Sequence, residues 1–352
     1  MSERLFIHPL AWLIWLLAAV AVLTVTRNPI YLGLTLLWVG LTYAIVKRFW
    51  RESAGAPIFS PLAFALFVIL VSTIFNGLTV HVGRLTLFTL PPSIPLLGGK
   101  VTGEALLYGA LNGAALAGLF VAFAVVSRVV GVRALIRLAP RAYYAAAVVA
   151  SIAVTYVPAT RRHFEQVREA QAIRGHAMTS TRSWLPLALP LLIGGLERAL
   201  QLAEAMMARG FAGTPEEETP LYPRLLALAG LAAILAGWLL RLVWQQALPG
   251  GTLMLAGGVM LAIALRETGR RHPHTVYRPD AWTPTGLLVG LAALLTLLLF
   301  FLPVPGLSRE SIYYYPYYQS LWPDFNLWLG LATWGLLAPA AALIFDVMRN
   351  EE

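Results

Sequence analysis

Long apolar runs separated by short polar breaks make up most of the chain. A helix needs ~20 mostly apolar residues to cross the ~30 Å hydrocarbon core of a bilayer. Eight stretches meet or approach that length, and none carries an acidic residue well inside it. They are residues 9–26, 29–46, 58–76, 105–126, 222–243, 247–265, 284–303 and 326–346. The pattern therefore predicts an all-α polytopic membrane protein with about eight transmembrane helices.

Two shorter apolar stretches lie near the middle of the chain. Residues 143–157 are closed by Pro158, and residues 184–196 are interrupted by Pro186 and Pro190. Runs this short are more typical of buried or interfacial helices than of membrane spans. Arginines flank both ends of each stretch, and arginines concentrate on the cytoplasmic side of a membrane. We therefore predict that neither stretch crosses the bilayer.

An amphipathic helix is predicted after each of these stretches, over residues 161–174 and 196–209. The prediction rests on apolar residues that recur at helical spacing. These residues are Phe164, Val167, Ala170 and Ile173 in the first helix, and Leu196, Leu200, Ala203 and Met207 in the second. Both helices end in Arg-Gly, at Arg174-Gly175 and Arg209-Gly210. One such ending has a structural explanation, because glycine suits the left-handed residue after a helix and arginine complements the helix dipole. Two of them on paired amphipathic helices favour docking into grooves of a soluble partner.

Composition and charge narrow the class of protein. The 352 residues are 59 % hydrophobic and only 12 % charged, against about 25 % charged residues in soluble domains. This balance excludes a soluble enzyme and a disordered chain. The net charge of +9 could indicate nucleic-acid binding, but the positions of the cations indicate topology instead. With both termini in the cytoplasm, only Arg27, Arg84, Lys100, Arg241 and Arg309 lie outside, and the other 21 of the 26 cations lie inside.

This topology predicts a multi-pass protein of the plasma membrane with three regions and no nucleic-acid partner. Residues 1–127 form an N-terminal region of four spans, and residues 128–213 form a cytoplasmic region with the two amphipathic helices. Residues 214–352 form a C-terminal region of four spans, which includes a hairpin over residues 222–265.

No constellation of catalytic or metal-binding residues is visible in the sequence. Cysteine is absent, and Gly98-Gly99-Lys100 lacks the spacing of a phosphate-binding loop. His272 and His274 lie in a basic loop and are predicted to be solvated. The sequence thus predicts a protein that is not an enzyme, with no cofactor and no metal site. Two alternatives stay open: a secondary transporter of a neutral or weakly charged solute, and an integral-membrane enzyme of lipid or polyprenyl chemistry.

The cytoplasmic region resembles the transmembrane (T) component of energy-coupling factor transporters, a branch of the ABC transporters. The resemblance rests on residues 168–175 (REAQAIRG), residues 205–211 (AMMARGF), the intervening stretch from Pro186 to Leu196, and residues 277–282 (YRPDAW) before a predicted span. It covers about residues 128–213 and 275–303. The sequence departs from the family at Ile173, where alanine is usual, and in three additional spans, residues 222–243, 247–265 and 326–346.

The resemblance implies a coupling role without catalysis. Two cytosolic ATPase subunits would hydrolyse ATP and move this chain's coupling helices. That motion would reach a small membrane subunit that binds a vitamin or a transition-metal ion for uptake. The coupling residues implied are Ala172, Ile173, Arg174, Gly175, Ala208, Arg209 and Gly210, with Arg174 and Arg209 contacting the ATPases. The supporting residues implied on the same helices are Glu169, Gln171, Glu204 and Met207.

Overall fold

The computed structural model describes residues 7–49, 60–91, 98–175, 184–211, 221–244, 246–270, 281–301, 309–317 and 322–351. The helices in these residues are α1 Pro9–Val25, α2 Pro29–Phe49, α3 Pro61–Thr79, α4 Gly103–Val129, α5 Val132–Arg137, α6 Tyr144–Ile173, α7 Leu185–Ala208, α8 Leu221–Val243, α9 Ala247–Arg270, α10 Pro284–Phe301, α11 Leu327–Ala332 and α12 Ala338–Glu351. Short 3₁₀ turns cover Arg141–Tyr143, Glu310–Ile312 and Thr333–Leu337. Strands β1 Thr86–Thr89 and β2 Lys100–Thr102 pair antiparallel.

The all-α membrane fold is confirmed. Within the described residues, eight helices are long and apolar enough to cross a membrane. They are Pro29–Phe49, Pro61–Thr79, Gly103–Val129, Arg141–Ile173, Leu221–Val243, Leu248–Arg270, Pro284–Phe301 and Leu327–Asp346. The set differs from the predicted one at two places. Helix α1 has 17 residues and stops just short of the usual span length, whereas the helix that contains α6 reaches it.

The prolines in the middle of the chain do not end helices, contrary to the prediction. Helix α6 runs without interruption through Pro158, and α7 begins with Pro186 in its first turn and runs through Pro190. A proline removes one backbone N–H from the helix, and the flanking turns keep the helix continuous. Each apolar stretch and the amphipathic segment after it are therefore two halves of one helix.

The chain divides into two compact units. The first comprises residues 1–131 and 278–352, and the second comprises residues 132–277. The predicted boundary at residue 128 lies close to the first division, but the inserted hairpin falls in the same unit as the amphipathic helices.

The core of the first unit forms where α1, α2, α4 and α10 pack together. One cluster of buried side chains comprises Val22, Tyr31, Phe300, Ile312, Leu329 and Ala332. Glycines allow α4 to approach α3 closely, because a methyl group added at Gly109 would lie 2.7 Å from the carbonyl oxygen of Ser72. The small-residue spacing from Gly109 to Gly113 therefore serves packing inside this unit.

Residues 309–317 contain four tyrosines, and part of this segment packs into the core of the first unit. Tyr314 is buried with Leu23 and Leu32, whereas Tyr313 and Tyr315 are about half exposed. The Tyr317 hydroxyl donates to Asn76 Oδ1 at 3.3 Å. Tyr314 is therefore part of the core.

Helices α8 and α9 of the second unit form a hairpin with its backbones in close contact. A methyl group added at Gly230 would lie 2.8 Å from the Gly257 carbonyl oxygen. One added at Gly237 would lie 2.7 Å from the Gly250 carbonyl oxygen. Two glycine pairs thus bring the helices together over two turns, which side chains with a Cβ would prevent.

Candidate coupling site

Helices α6 and α7 pack against each other in antiparallel order. Two hydrogen bonds and two ring contacts establish this order. Tyr156 Oη donates to the Arg198 carbonyl and Gln171 Nε2 donates to the Pro186 carbonyl, each at 3.3 Å. The ring centroids of Phe164 and Trp184 lie 6.0 Å apart, and those of Tyr144 and Phe211 lie 6.4 Å apart. The end of α6 is therefore level with the start of α7. The two Arg-Gly endings lie at opposite ends of the pair, separated by about the length of α7, or ~36 Å for its 24 residues.

The end of α7 is closed by backbone hydrogen bonds of the Schellman type. The Gly210 N–H donates to the Met207 carbonyl at 2.9 Å, and the Phe211 N–H donates to the Met206 carbonyl at 3.0 Å. Gly210 has a φ of +78°, a left-handed conformation that costs side-chain-bearing residues energy. The glycine after Arg209 is thus required by the way the helix ends.

Helix α6 ends in the same way as far as the described residues extend. The Gly175 N–H donates to the Ala172 carbonyl at 3.0 Å, and Gly175 has a φ of +82°. Because both helices stop at the residue before arginine, Arg174 and Arg209 occupy equivalent positions at the two caps.

Both arginines are exposed and available to a partner. Within the described part of the chain, neither guanidinium makes a hydrogen bond or an ion pair, so each keeps all its N–H donors for contacts outside the chain. Apolar side chains next to them are exposed as well: Ile173 is 88 % exposed and Met207 is 59 % exposed. An exposed arginine beside exposed apolar residues is the composition of an interaction surface.

The supporting residues fall into two groups. Glu169, Glu204 and Met207 are exposed, as are the coupling residues Ala172 and Ala208. Gln171 instead faces α7 and bonds to the Pro186 carbonyl, so it joins the two helices to each other.

One contact between α6 and α7 was not anticipated from the sequence. A methyl group added at Gly194 would lie 2.6 Å from His163 Nε2, and that nitrogen is buried and has no hydrogen-bond partner among the described residues. Glycine at this point lets the imidazole pack directly against α7. A glycine inside an otherwise apolar helix was the only signal for this close approach.

The last element of the sequence motif lies in the first unit. Trp282 stacks on His8 with ring centroids 4.3 Å apart and an interplanar angle of 11°. This contact joins the starts of α10 and α1. Residues 277–280 of the motif, together with His272 and His274, lie outside the described residues.

Comparison with known proteins identifies the family. The sequence profile of the cobalt transport protein (CbiQ) family matches residues 6–222. The chain belongs to the CbiQ family. This match confirms the resemblance seen in the sequence. The matched residues include both Arg-Gly helix ends, at residues 174–175 and 209–210.

The names of two curated relatives agree with this family. The energy-coupling factor transporter transmembrane protein EcfT of Leuconostoc gelidum is 37 % identical over 71 residues, which is 18 % of this chain and 26 % of the relative. The protein of the same name from Brevibacillus brevis is 34 % identical over 73 residues, or 19 % of this chain and 28 % of the relative. This CbiQ-family chain thus matches only about a quarter of the length of these relatives.

Replacing Gly210 by alanine should destabilise the last turn of α7 by about 1 kcal/mol, because a Cβ is disfavoured at positive φ. Gly195 is a matched control, since it lies inside α7 and an added methyl group there meets no atom within 4 Å. We expect Gly195→Ala to leave the turn unchanged or more stable. Hydrogen exchange of the amides at residues 207–211 measures the effect, and equal exchange in both variants would contradict it.

Proposed function

We propose that this chain is the membrane coupling subunit of an energy-coupling factor importer. It would convert ATP-driven movement of two cytosolic ATPase subunits into movement of a separate substrate-binding membrane subunit. The family match and the names of the relatives support transport as the general role. The observation that carries the specific role is the pair of exposed Arg-Gly caps at opposite ends of α6 and α7.

The arrangement of the caps suits a pair of similar partners. Each cap presents the same chemistry, an arginine next to exposed apolar side chains, and the two point to opposite ends of an antiparallel pair. Such a pair is approximately two-fold symmetric, so two copies of a soluble subunit, or two homologous subunits, could bind one cap each. A planar guanidinium matches carboxylates or backbone carbonyls in a groove of each partner.

The alignment of α6 beside α7 supports a position of the helix pair parallel to the membrane surface. The apolar residues 144–157 are level with residues 198–211, which carry Arg198, Glu204 and Arg209. The apolar residues 184–196 are level with the charged second half of α6. If the pair crossed the bilayer, each apolar half in the hydrocarbon would bring a charged segment with it, at a high cost. If the α6–α7 pair instead lies parallel to the membrane, at the interface between lipid and water, its apolar halves can contact lipid while its charged halves contact water.

Cysteine labelling tests this position, and the chain has no native cysteine. Arg141→Cys and Ile173→Cys place thiols at the two ends of α6, where both side chains are exposed. We expect a membrane-impermeant thiol reagent to reach both from the inner side only. Leu87→Cys in β1, on the predicted outer face, is the control that should react from outside. Labelling of the two α6 positions from opposite sides would show that α6 crosses the membrane.

The cargo is proposed to bind to the separate membrane subunit. The family's description names cobalt, whereas the names of the relatives specify no cargo. We propose uptake of a transition-metal ion or a vitamin, decided by which substrate-binding subunit joins the complex.

Affinity purification of the tagged chain from its native membrane tests the proposed function. We expect two ATPase subunits and one small membrane protein to co-purify, and ATP hydrolysis in the purified complex. Recovery of the chain alone, under conditions that preserve other membrane complexes, would contradict the proposal.

A further inference from the structure

Exposed arginines gather where α9 ends, next to the start of α6. Arg266 and Arg270 lie in the last two turns of α9, and Arg141 opens the 3₁₀ turn before α6. These segments are in contact, because a methyl group added at Gly269 would lie 3.0 Å from Arg141 Cβ. All three arginines are exposed. Two segments far apart in sequence therefore contribute cations to one surface.

Helix α5 extends this surface along the chain. It leads directly into the 3₁₀ turn, where the Tyr143 N–H donates to the Pro140 carbonyl at 2.8 Å. Arg133 and Arg137 of α5 are exposed. Three exposed apolar side chains alternate with the arginines, and these are Val132, Leu135 and Tyr143. We refer to Arg133, Arg141, Arg266 and Arg270 as the basic cluster.

Three of the four cluster arginines make no ion pair within the part of the chain that the structure describes, and these are Arg133, Arg141 and Arg266. Residues 132–143 and 264–270 contain a single acidic residue, Glu267. The Glu267 carboxylate already pairs with the fourth cluster arginine, Arg270, at 2.8 Å from its Nη1. The guanidiniums of Arg133, Arg141 and Arg266 are therefore available to anions from outside these segments.

The depth of the cluster in the bilayer points to the kind of anion. Helix α9 is long and apolar enough to span the membrane, so its last turns reach the level of the lipid headgroups. Exposed apolar side chains among arginines are typical of segments that lie in the headgroup region. The guanidinium fork matches the oxygens of a phosphate group.

We propose that the basic cluster binds the phosphate headgroups of anionic phospholipids and fixes the base of the α8–α9 hairpin at the membrane surface. A soluble phosphate compound shares this chemistry, but it has no acyl chains to contact Val132, Leu135 and Tyr143. The cluster includes neither Arg174 nor Arg209, so this inference and the proposed function can fail independently.

Lipid titration of the full chain in detergent tests the proposal. The probe is fluorescent phosphatidylglycerol, with phosphatidylcholine of the same acyl chains as the neutral comparison. The test variant is Arg133→Gln/Arg141→Gln/Arg266→Gln. The matched control is Lys47→Gln/Arg48→Gln/Arg162→Gln, which removes three exposed cations elsewhere. A third variant changes Arg133, Arg141 and Arg266 to lysine and so keeps the charge.

We expect saturable binding of phosphatidylglycerol that weakens about fivefold for each cluster arginine removed. The control should bind nearly as the native chain does. The lysine variant should bind more tightly than the glutamine variant but more weakly than the native chain, because lysine keeps the charge and loses the guanidinium fork. Millimolar inorganic phosphate should not compete. Equal weakening in the control would overturn the proposal in favour of a general charge effect. Unchanged binding in the test variant, or full competition by inorganic phosphate, would also overturn it. If the triple variant does not insert, Arg266→Gln alone provides the measurement.

Discussion

Changing Arg174 and Arg209 together to glutamate should abolish substrate uptake while the chain still inserts into the membrane. Both guanidiniums are exposed at helix caps and have no partner among the described residues, so the fold does not depend on them. If each pairs with an acidic or carbonyl group in an ATPase groove, losing one contact costs about 2–5 kcal/mol of interface energy. That corresponds to at least about a thirtyfold weaker complex for each arginine. Reversal of the charge adds repulsion to this loss.

Three measurements on the double variant separate docking from folding. Its amount in the membrane should match that of the native chain, its co-purification with ATPase subunits should fall, and uptake should cease. Arg161→Glu is the control, because Arg161 also lies on α6, with its side chain 81 % exposed and only an i,i+4 pair to Glu165. Such a surface pair contributes little stability. Full uptake and normal ATPase recovery by the double variant would refute the docking role.

Replacing Gly257 by leucine should force α8 and α9 apart, whereas the same change at the adjacent Gly258 should be tolerated. A Cβ at Gly257 would lie 2.6 Å from the Gly230 carbonyl oxygen. This neighbour is backbone, so only separation of the helices can relieve the contact. A Cβ at Gly258 meets no atom within 4 Å. Overpacking of this kind costs about 1–3 kcal/mol, added to the loss of close helix contact.

Thermal unfolding of the full chain in detergent compares the two leucine variants directly. We expect a clear fall in the midpoint for Gly257→Leu and none for Gly258→Leu. Because the two positions are neighbours on one helix, differences in hydropathy and helix propensity cancel between them. Equal midpoints would show that α8 and α9 do not pack through their glycines.

The two Arg-Gly helix ends could be predicted because their signals are local. A helix period, a terminal arginine and a following glycine define each cap within a dozen residues, and the positive φ of Gly175 and Gly210 agrees with that pattern. Packing between the helices has no such signal. Neither the close approach of His163 to Gly194 nor the inward direction of Gln171 follows from spacing alone.

The prolines show where local rules fail. The sequence predicts that Pro158 closes the first short apolar stretch and that Pro186 and Pro190 interrupt the second, but α6 is continuous through Pro158 and α7 through Pro190. One missing N–H does not outweigh the hydrogen bonds of the turns on either side, especially where little water competes for them. The length of each helix was therefore set by its cap glycine and not by its proline.

The sequence by itself determined the class of fold, seven of the eight long apolar helices among the described residues, and the two Arg-Gly caps. Each of these follows from residues close together in the chain: hydrophobic length, helical period and the conformational freedom of glycine. Only the tertiary structure decided that the caps lie at opposite ends of an antiparallel pair and that α9 brings its arginines to Arg141. It also decided that Tyr314 belongs to the core. These features depend on contacts between distant segments, which form where surfaces fit and leave no periodic trace in the sequence.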